Sequence, residues 1–265
     1  MSIACPSLIG SYYPELCAAV DHYCERTSST LDAEPINALT NGAFLVAAWG
    51  AWRLTSRNIS GRATVLNSAL VLTMALVGLG SFLFHTVATR WAEWGDVLPI
   101  MLFMLLFLWF TLTKFFAWPL WLKILGLAAY FAATLYAEGE VPGSVLWGGA
   151  LYVPTVVMML TIATVLRWRR IEGAGAFLLA TAVFLLSFTA RTLDHTLCAT
   201  FPIGTHFLWH LLNATLLYIL VRTAILHTAP IANTVPPSVP SAALFPLTEP
   251  PAEAAVSPGS PPPRR

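Results

Sequence analysis

Residues 81–96 read SFLFHTVATRWAEWGD, and residues 204–210 read GTHFLWH. The first stretch closes a long apolar run with Ser81 and His85 four residues apart, then supplies Asp96 at the head of the next apolar run. The second carries His206 and His210, also four residues apart. On a helix, residues at i and i+4 share one face. Two such helices facing each other bring three imidazoles, a hydroxyl and a carboxylate together within a chain that is otherwise mostly lipid-soluble.

Outward from these stretches the chain is a series of apolar runs, at about 36–55, 64–87, 97–116, 118–137, 144–166, 174–194 and 205–227. Each is close to the ~20 residues that a helix needs to cross a ~30 Å hydrocarbon core. Charged residues make up 10% of the chain and hydrophobic residues 57%, where a soluble domain carries roughly 25% charged residues. The fold class expected is all-α and integral to the membrane, a bundle of seven transmembrane helices. Ser, Thr, Asn and His within the runs predict helices that pack on one another. Residues 1–35 form an extracytoplasmic N-terminal segment in this reading, and 36–228 the membrane domain. Residues 229–265, rich in Pro, form a disordered cytoplasmic tail. The start of the chain has neither the basic region nor the apolar core of a cleavable signal peptide. A net charge of +1 speaks against nucleic acid as a partner.

Lys and Arg set the orientation. With seven spans, Arg53, Arg57, Arg62, Lys114, Lys123, Arg167, Arg169, Arg170 and Arg222 fall on one side, and only Arg26, Arg90 and Arg191 on the other. The C-terminus is therefore expected in the cytoplasm and the N-terminus outside. On that topology Ser81, His85, Asp96, His206 and His210 all lie at similar depth toward the non-cytoplasmic side. A path across the membrane needs polar residues along its length, so this one-sided cluster disfavours a transporter.

Three His ligands leave a fourth tetrahedral position open for water, the arrangement of catalytic zinc. Zinc lowers the pKa of that water toward ~7 and polarises a carbonyl. Asp96 is placed to take a proton and hand it to a leaving amine, and Ser81 to hydrogen-bond an oxyanion. Taken singly, each residue has a plainer reading: a membrane His as an interhelical donor, Asp96 as a helix N-cap ahead of Pro99, Ser81 as a small packing residue after Gly78 and Gly80. Their conjunction favours the metal site, because ionisable groups at membrane depth are expensive. His195 is expected at the interface, and His22 and His227 outside the cluster.

The N-terminal segment holds Asp21, Glu25, Asp32 and Glu34. Carboxylates on a loop suit a hard cation such as Ca²⁺; they equally suit a solvated loop, with Arg26 paired to one of them. Asn37 and Asn41 fall four apart in the first run and are expected to join it to a neighbour. All four cysteines lie on the oxidising side in this topology. A bridge between Cys24 and Cys198 would tie the N-terminal segment to the loop before His206, with Cys5 and Cys17 offering competing pairings.

The motifs CER followed by EPINALTN, GSFLFHTVATRWAEWGD and GTHFLWH resemble the alkaline ceramidases, within a superfamily of heptahelical membrane hydrolases. The resemblance runs to about residue 227, and its style is that of the bacterial branch. It implies zinc ligands at His85, His206 and His210, active-site Ser81 and Asp96, and a disulfide between Cys24 and Cys198. It implies a ceramide-like membrane lipid as substrate, cleaved at its amide to a sphingoid base and a fatty acid. It also implies a calcium site at Asp21, Glu25 and Glu34, with DHYCERT standing where eukaryotic members read like DWCEEN. Two rival expectations share the same residues: a heptahelical receptor or structural protein with a zinc site, and a lipid esterase.

Overall fold

The computed structural model describes residues 5–28, 30–56 and 61–228, leaving aside the side chains of 61–64 and 228. Arg57 and the expected tail, 229–265, lie outside the described residues. The described part is helical. A short helix α1 (Ser7–Tyr12) and a 3-10 turn (Pro14–Cys17) precede α2 (Pro35–Thr40), α3 (Gly42–Thr55), α4 (Gly61–Val87), α5 (Arg90–Lys114) and α6 (Leu120–Glu140); α7 (Val153–Trp168), α8 (Ala174–Leu197) and α9 (His206–Thr228) follow. Among the described residues six helical stretches are long and apolar enough to cross a membrane: those of α4, α5, α6, α8 and α9, and Ala150–Trp168, which is α7 with the 3-10 turn before it. The first expected run, 36–55, is divided at Asn41 into α2 and α3, and neither half alone reaches that length.

The apolar surface is distributed for lipid rather than for water. Trp49, Leu72, Leu79, Leu102, Leu125 and Leu186 all face outward, as they must where the solvent is hydrocarbon and only the backbone needs internal hydrogen bonds. Burial separates centre from periphery: about half of the spanning windows of α4 and α9 is buried (50% and 56%), against 11% for α6. The central pair carries the histidines. α3 packs on α4 and α9, α4 on α5, α8 on α9, and α2 against both α4 and α9.

Two boundaries differ from the expectation. The third expected run starts at 97, with Asp96 as a candidate N-cap; α5 begins instead at Arg90, with Thr89 as N-cap. Trp91, Ala92 and Trp94 extend the apolar character upstream of the Asp, so the helix starts where the chain turns and Asp96 lies inside it. That turn is fixed by Ala88 in the left-handed region (φ 45°) and by an antiparallel bridge between Ala19 and Thr89. Val20 N donates to Ala88 O at 2.9 Å and Arg90 N to Ala18 O at 3.1 Å. The N-terminal segment is thereby laid over the α4–α5 link, more ordered than the irregular stretch expected. The fifth expected run starts at 144, but residues 145–152 form two 3-10 turns. Leu146 and Trp147 there take positive φ, and Arg191 of α8 donates to both of their carbonyls. The helix proper begins at Val153, with Pro154 in its first turn, where a missing N–H costs nothing.

Candidate metal centre and active site

α4 supplies Ser81 and His85, α5 supplies Asp96, and α9 supplies His206 and His210. The three imidazoles each offer one ring nitrogen, all within 4.8 Å of one another. Among the described residues this is the one group of three or more such ligands that gathers so closely. All three rings are buried.

What holds each ring determines which nitrogen it presents. His85 Nδ1 lies 2.6 Å from Glu34 Oε2. His210 Nδ1 lies 2.9 Å from the Thr40 hydroxyl. That hydroxyl directs its own proton to the carbonyls of Ile36 and Asn37, so its oxygen accepts from the ring. Glu34 and Thr40 both flank or belong to α2, which packs between α4 and α9. His206 is held differently: the Tyr23 ring stacks on it, centroids 3.5 Å apart. What remains is His85 Nε2, His206 Nδ1 and His210 Nε2, all buried and without a partner. An unsatisfied buried polar nitrogen costs about 1–3 kcal/mol, and three converging within one cluster fit a metal ion. Each anchored Nδ1 is the outer contact that sets tautomer and ring orientation in a metal-binding His.

Beside the triad, α4 and α5 touch through their backbones. A Cβ on Gly80 would fall on the carbonyl of Gly95, so no other residue permits this approach. It brings Ser81 and Asp96 onto the lining of one cavity. One carboxylate oxygen, Asp96 Oδ1, is buried without a partner. Ser81, Asp96 and His210 line one cavity, which continues inward past Phe103, Phe107 and Leu220 to Thr111. Asp96 and Thr111, both on this largely apolar lining, lie about 22 Å apart along α5 at 1.5 Å per residue.

The residues expected to hold calcium do not gather. Asp21 is exposed. Glu25 accepts from the backbone N–H groups of Ile36 (2.6 Å) and Asn37 (2.8 Å), capping α2. Glu34 is bonded to His85, to Arg26 Nε at 2.5 Å and to Asn37 Nδ2 at 3.2 Å. Burial raises its pKa, but the hydrogen bond and charge of His85, then those of Arg26, outweigh this and hold it below the ordinary value. Arg26 does pair with an acid, as the sequence allowed. Asn41 Nδ2 donates to Asn37 O within the same run rather than to a neighbouring helix.

Cys24 is bridged to Cys198, and Cys5 to Cys17. Next to the first bridge stands a residue outside the set expected from sequence. Asp194 is buried, and its carboxylate accepts from the backbone N–H groups of Cys24 (2.9 Å), Thr205 (2.6 Å) and His206 (2.9 Å). It caps α9 at the turn that begins with His206, where an anion meets unpaired N–H groups. Gly204 (φ +63°) is required there, because a Cβ would overlap the Asp194 carboxylate. An Asp within the apolar run of α8 was the available signal. His195, expected at the interface, stacks on Trp147 and meets His22 O at 2.6 Å. His22 pairs with Glu93 at 3.1 Å. His227 lies at the other end of α9, against Phe115.

Among the described residues, six membrane-length apolar stretches and a buried three-histidine cluster define a multi-pass membrane protein with a candidate metal centre. The ceramidase family model matches residues 18–236, a stretch that includes every helix from α2 to α9. The chain belongs to the ceramidase family, which implies a hydrolase acting on the amide of a lipid. No curated protein matches the chain.

Proposed function

We propose that the protein is a zinc-dependent amidase that hydrolyses ceramide-like N-acyl lipids from within the membrane, giving a sphingoid base or related amine and a fatty acid. The observation that carries this is the convergence of three unpartnered imidazole nitrogens beside the Ser81–Asp96 pair, in a chain of the ceramidase family. His85, His206 and His210 would hold the ion, and zinc suits three imidazoles with an open fourth position. When bound, zinc supplies a Lewis acid and a water acidic near pH 7.

The remaining chemistry belongs to this chain. Asp96 Oδ1, free of other partners, accepts the proton of the attacking water and returns it to the amide nitrogen as the C–N bond breaks. The hydroxyl of that water ends on the acyl carbon, and the nitrogen leaves as a neutral amine. The Ser81 hydroxyl is a donor for the carbonyl oxygen as negative charge develops on it. The apolar lining toward Phe107 and Thr111 suits the hydrocarbon tail of the lipid.

In this reading residues 36–228 form the hydrolase domain and α2 with α3 count as one broken span, the first of seven. The Lys and Arg distribution then puts the N-terminus and the site on the non-cytoplasmic side and the C-terminus in the cytoplasm. In a bacterial cell the membrane would be the inner one. The test is release of fatty acid by the detergent-purified protein from matched N-acyl and O-acyl lipids. Selective amide cleavage, lost on zinc removal and restored by zinc, supports the amidase; ester cleavage alone would replace it with an esterase on the same site.

A further inference from the structure

Arg26 is a buried cation with three anchors. Its Nε donates to Glu34 Oε1 at 2.5 Å, its Nη1 to Ser28 O at 3.2 Å and its Nη2 to His85 O at 3.1 Å. The side chain is 5% exposed and that of Glu34 2%. The acceptors come from three separate places: the N-terminal loop, the residue preceding α2, and the last turn of α4. A carboxylate and two carbonyl oxygens around one positive charge are the ligand chemistry of a hard cation. Here the cation is covalently part of the chain.

The contact to α4 is made at His85 itself. Arg26 takes the His85 carbonyl, while Glu34, held by Arg26 through Oε1, takes the His85 ring through Oε2. Main chain and imidazole of one residue are thus fixed by one ion pair. A planar guanidinium delivers such forked contacts and a lysine ammonium does not. Removing the guanidinium leaves a buried carboxylate with an excess of charge beside His85.

We infer that Arg26 is a positioning residue that serves as a built-in cation: through Glu34 it orients His85 for metal, so that the centre assembles without calcium. This rests on reading His85 as a metal ligand. It assigns Glu34 to the orientation of that ligand rather than to a calcium ion.

The test is the affinity of the purified, metal-stripped protein for zinc, together with the visible spectrum of its cobalt form. Both are taken in calcium-free buffer and in millimolar calcium. The variants are Arg26→Met, Arg26→Lys, Glu34→Gln and, as control for the parent reading, His85→Ala. Wild type is expected to bind zinc equally well with and without calcium. Arg26→Met and Glu34→Gln are expected to weaken zinc about 10- to 100-fold, the usual effect of losing an outer contact to a metal-binding His, and to alter the cobalt bands. Arg26→Lys, which keeps charge without the fork, is expected to recover part of the affinity; where Arg26→Met does not fold, the lysine variant alone decides by its cobalt spectrum and zinc affinity. Wild-type affinity and spectrum in both Arg26 variants, with binding lost in His85→Ala, would overturn the inference and leave the metal centre standing. Zinc binding by wild type that requires calcium would overturn it too. Unchanged binding in His85→Ala would instead remove the parent reading.

Discussion

Gly80 of α4 and Gly95 of α5 meet so closely that a Cβ on Gly80 would overlap the Gly95 carbonyl oxygen. The contact has a chemical consequence, because the next residue along each helix is Ser81 and Asp96. Two helices joined by glycine-to-backbone contact are a common packing mode in membranes, and here it sets the spacing between a hydroxyl and a carboxylate. Gly80→Ala should push the helices apart. Overpacking of this kind costs about 1–3 kcal/mol, so the variant is expected to melt earlier while its three histidines still bind zinc. Lipid hydrolysis should fall far more than zinc content. A variant with unchanged turnover and unchanged melting would show that the approach of α4 and α5 is unimportant for the site.

Asp96 separates an enzyme from a receptor that keeps zinc for stability. Asp96→Asn preserves size and burial but removes the proton acceptor. Zinc content is expected to stay at the wild-type level and turnover to fall about 100- to 10,000-fold. Fatty-acid release measured against metal content on one preparation checks this. Full turnover in Asp96→Asn would take the proton transfer away from this residue.

The Cys24–Cys198 bridge joins residues 174 apart and lies against Asp194, which caps α9 at His206. Replacing both cysteines by Ser should destabilise the protein by about 2–5 kcal/mol, seen as an earlier thermal transition. Because Cys24 carries Tyr23 next to it, and Tyr23 stacks on His206, zinc affinity should fall as well. Equal melting of the double variant and wild type would mean that Asp194 alone secures the segment.

Much of this architecture was legible because it rests on local periodicity. Apolar run length marked the helices from α4 to α9, and i,i+4 spacing put His206 and His210 on one face and Ser81 and His85 on another. The start of α5 was not legible from the polarity of Asp96, since Trp91, Ala92 and Trp94 carry the helix past it to a turn fixed by pairing with Ala19. Glu34 shows a deeper limit. Its place among Asp21, Glu25 and Asp32 on one segment suits a shared cation, but which lone pairs a carboxylate has free depends on Arg26 and on His85, 51 residues away in the chain. The role of Asp194 is hidden for the same reason: its partners, Cys24 and His206, are set by a disulfide and a turn that no local pattern displays.

The most direct test of the account measures zinc and turnover together on one detergent-purified sample of wild type, His85→Ala, His206→Ala and His210→Ala. Zinc would be determined by mass spectrometry and ceramide hydrolysis by fatty-acid release. The account predicts about one zinc per wild-type chain, with metal and amide hydrolysis lost together in every folded histidine variant. Ceramide cleavage that persists in a variant without zinc would contradict it.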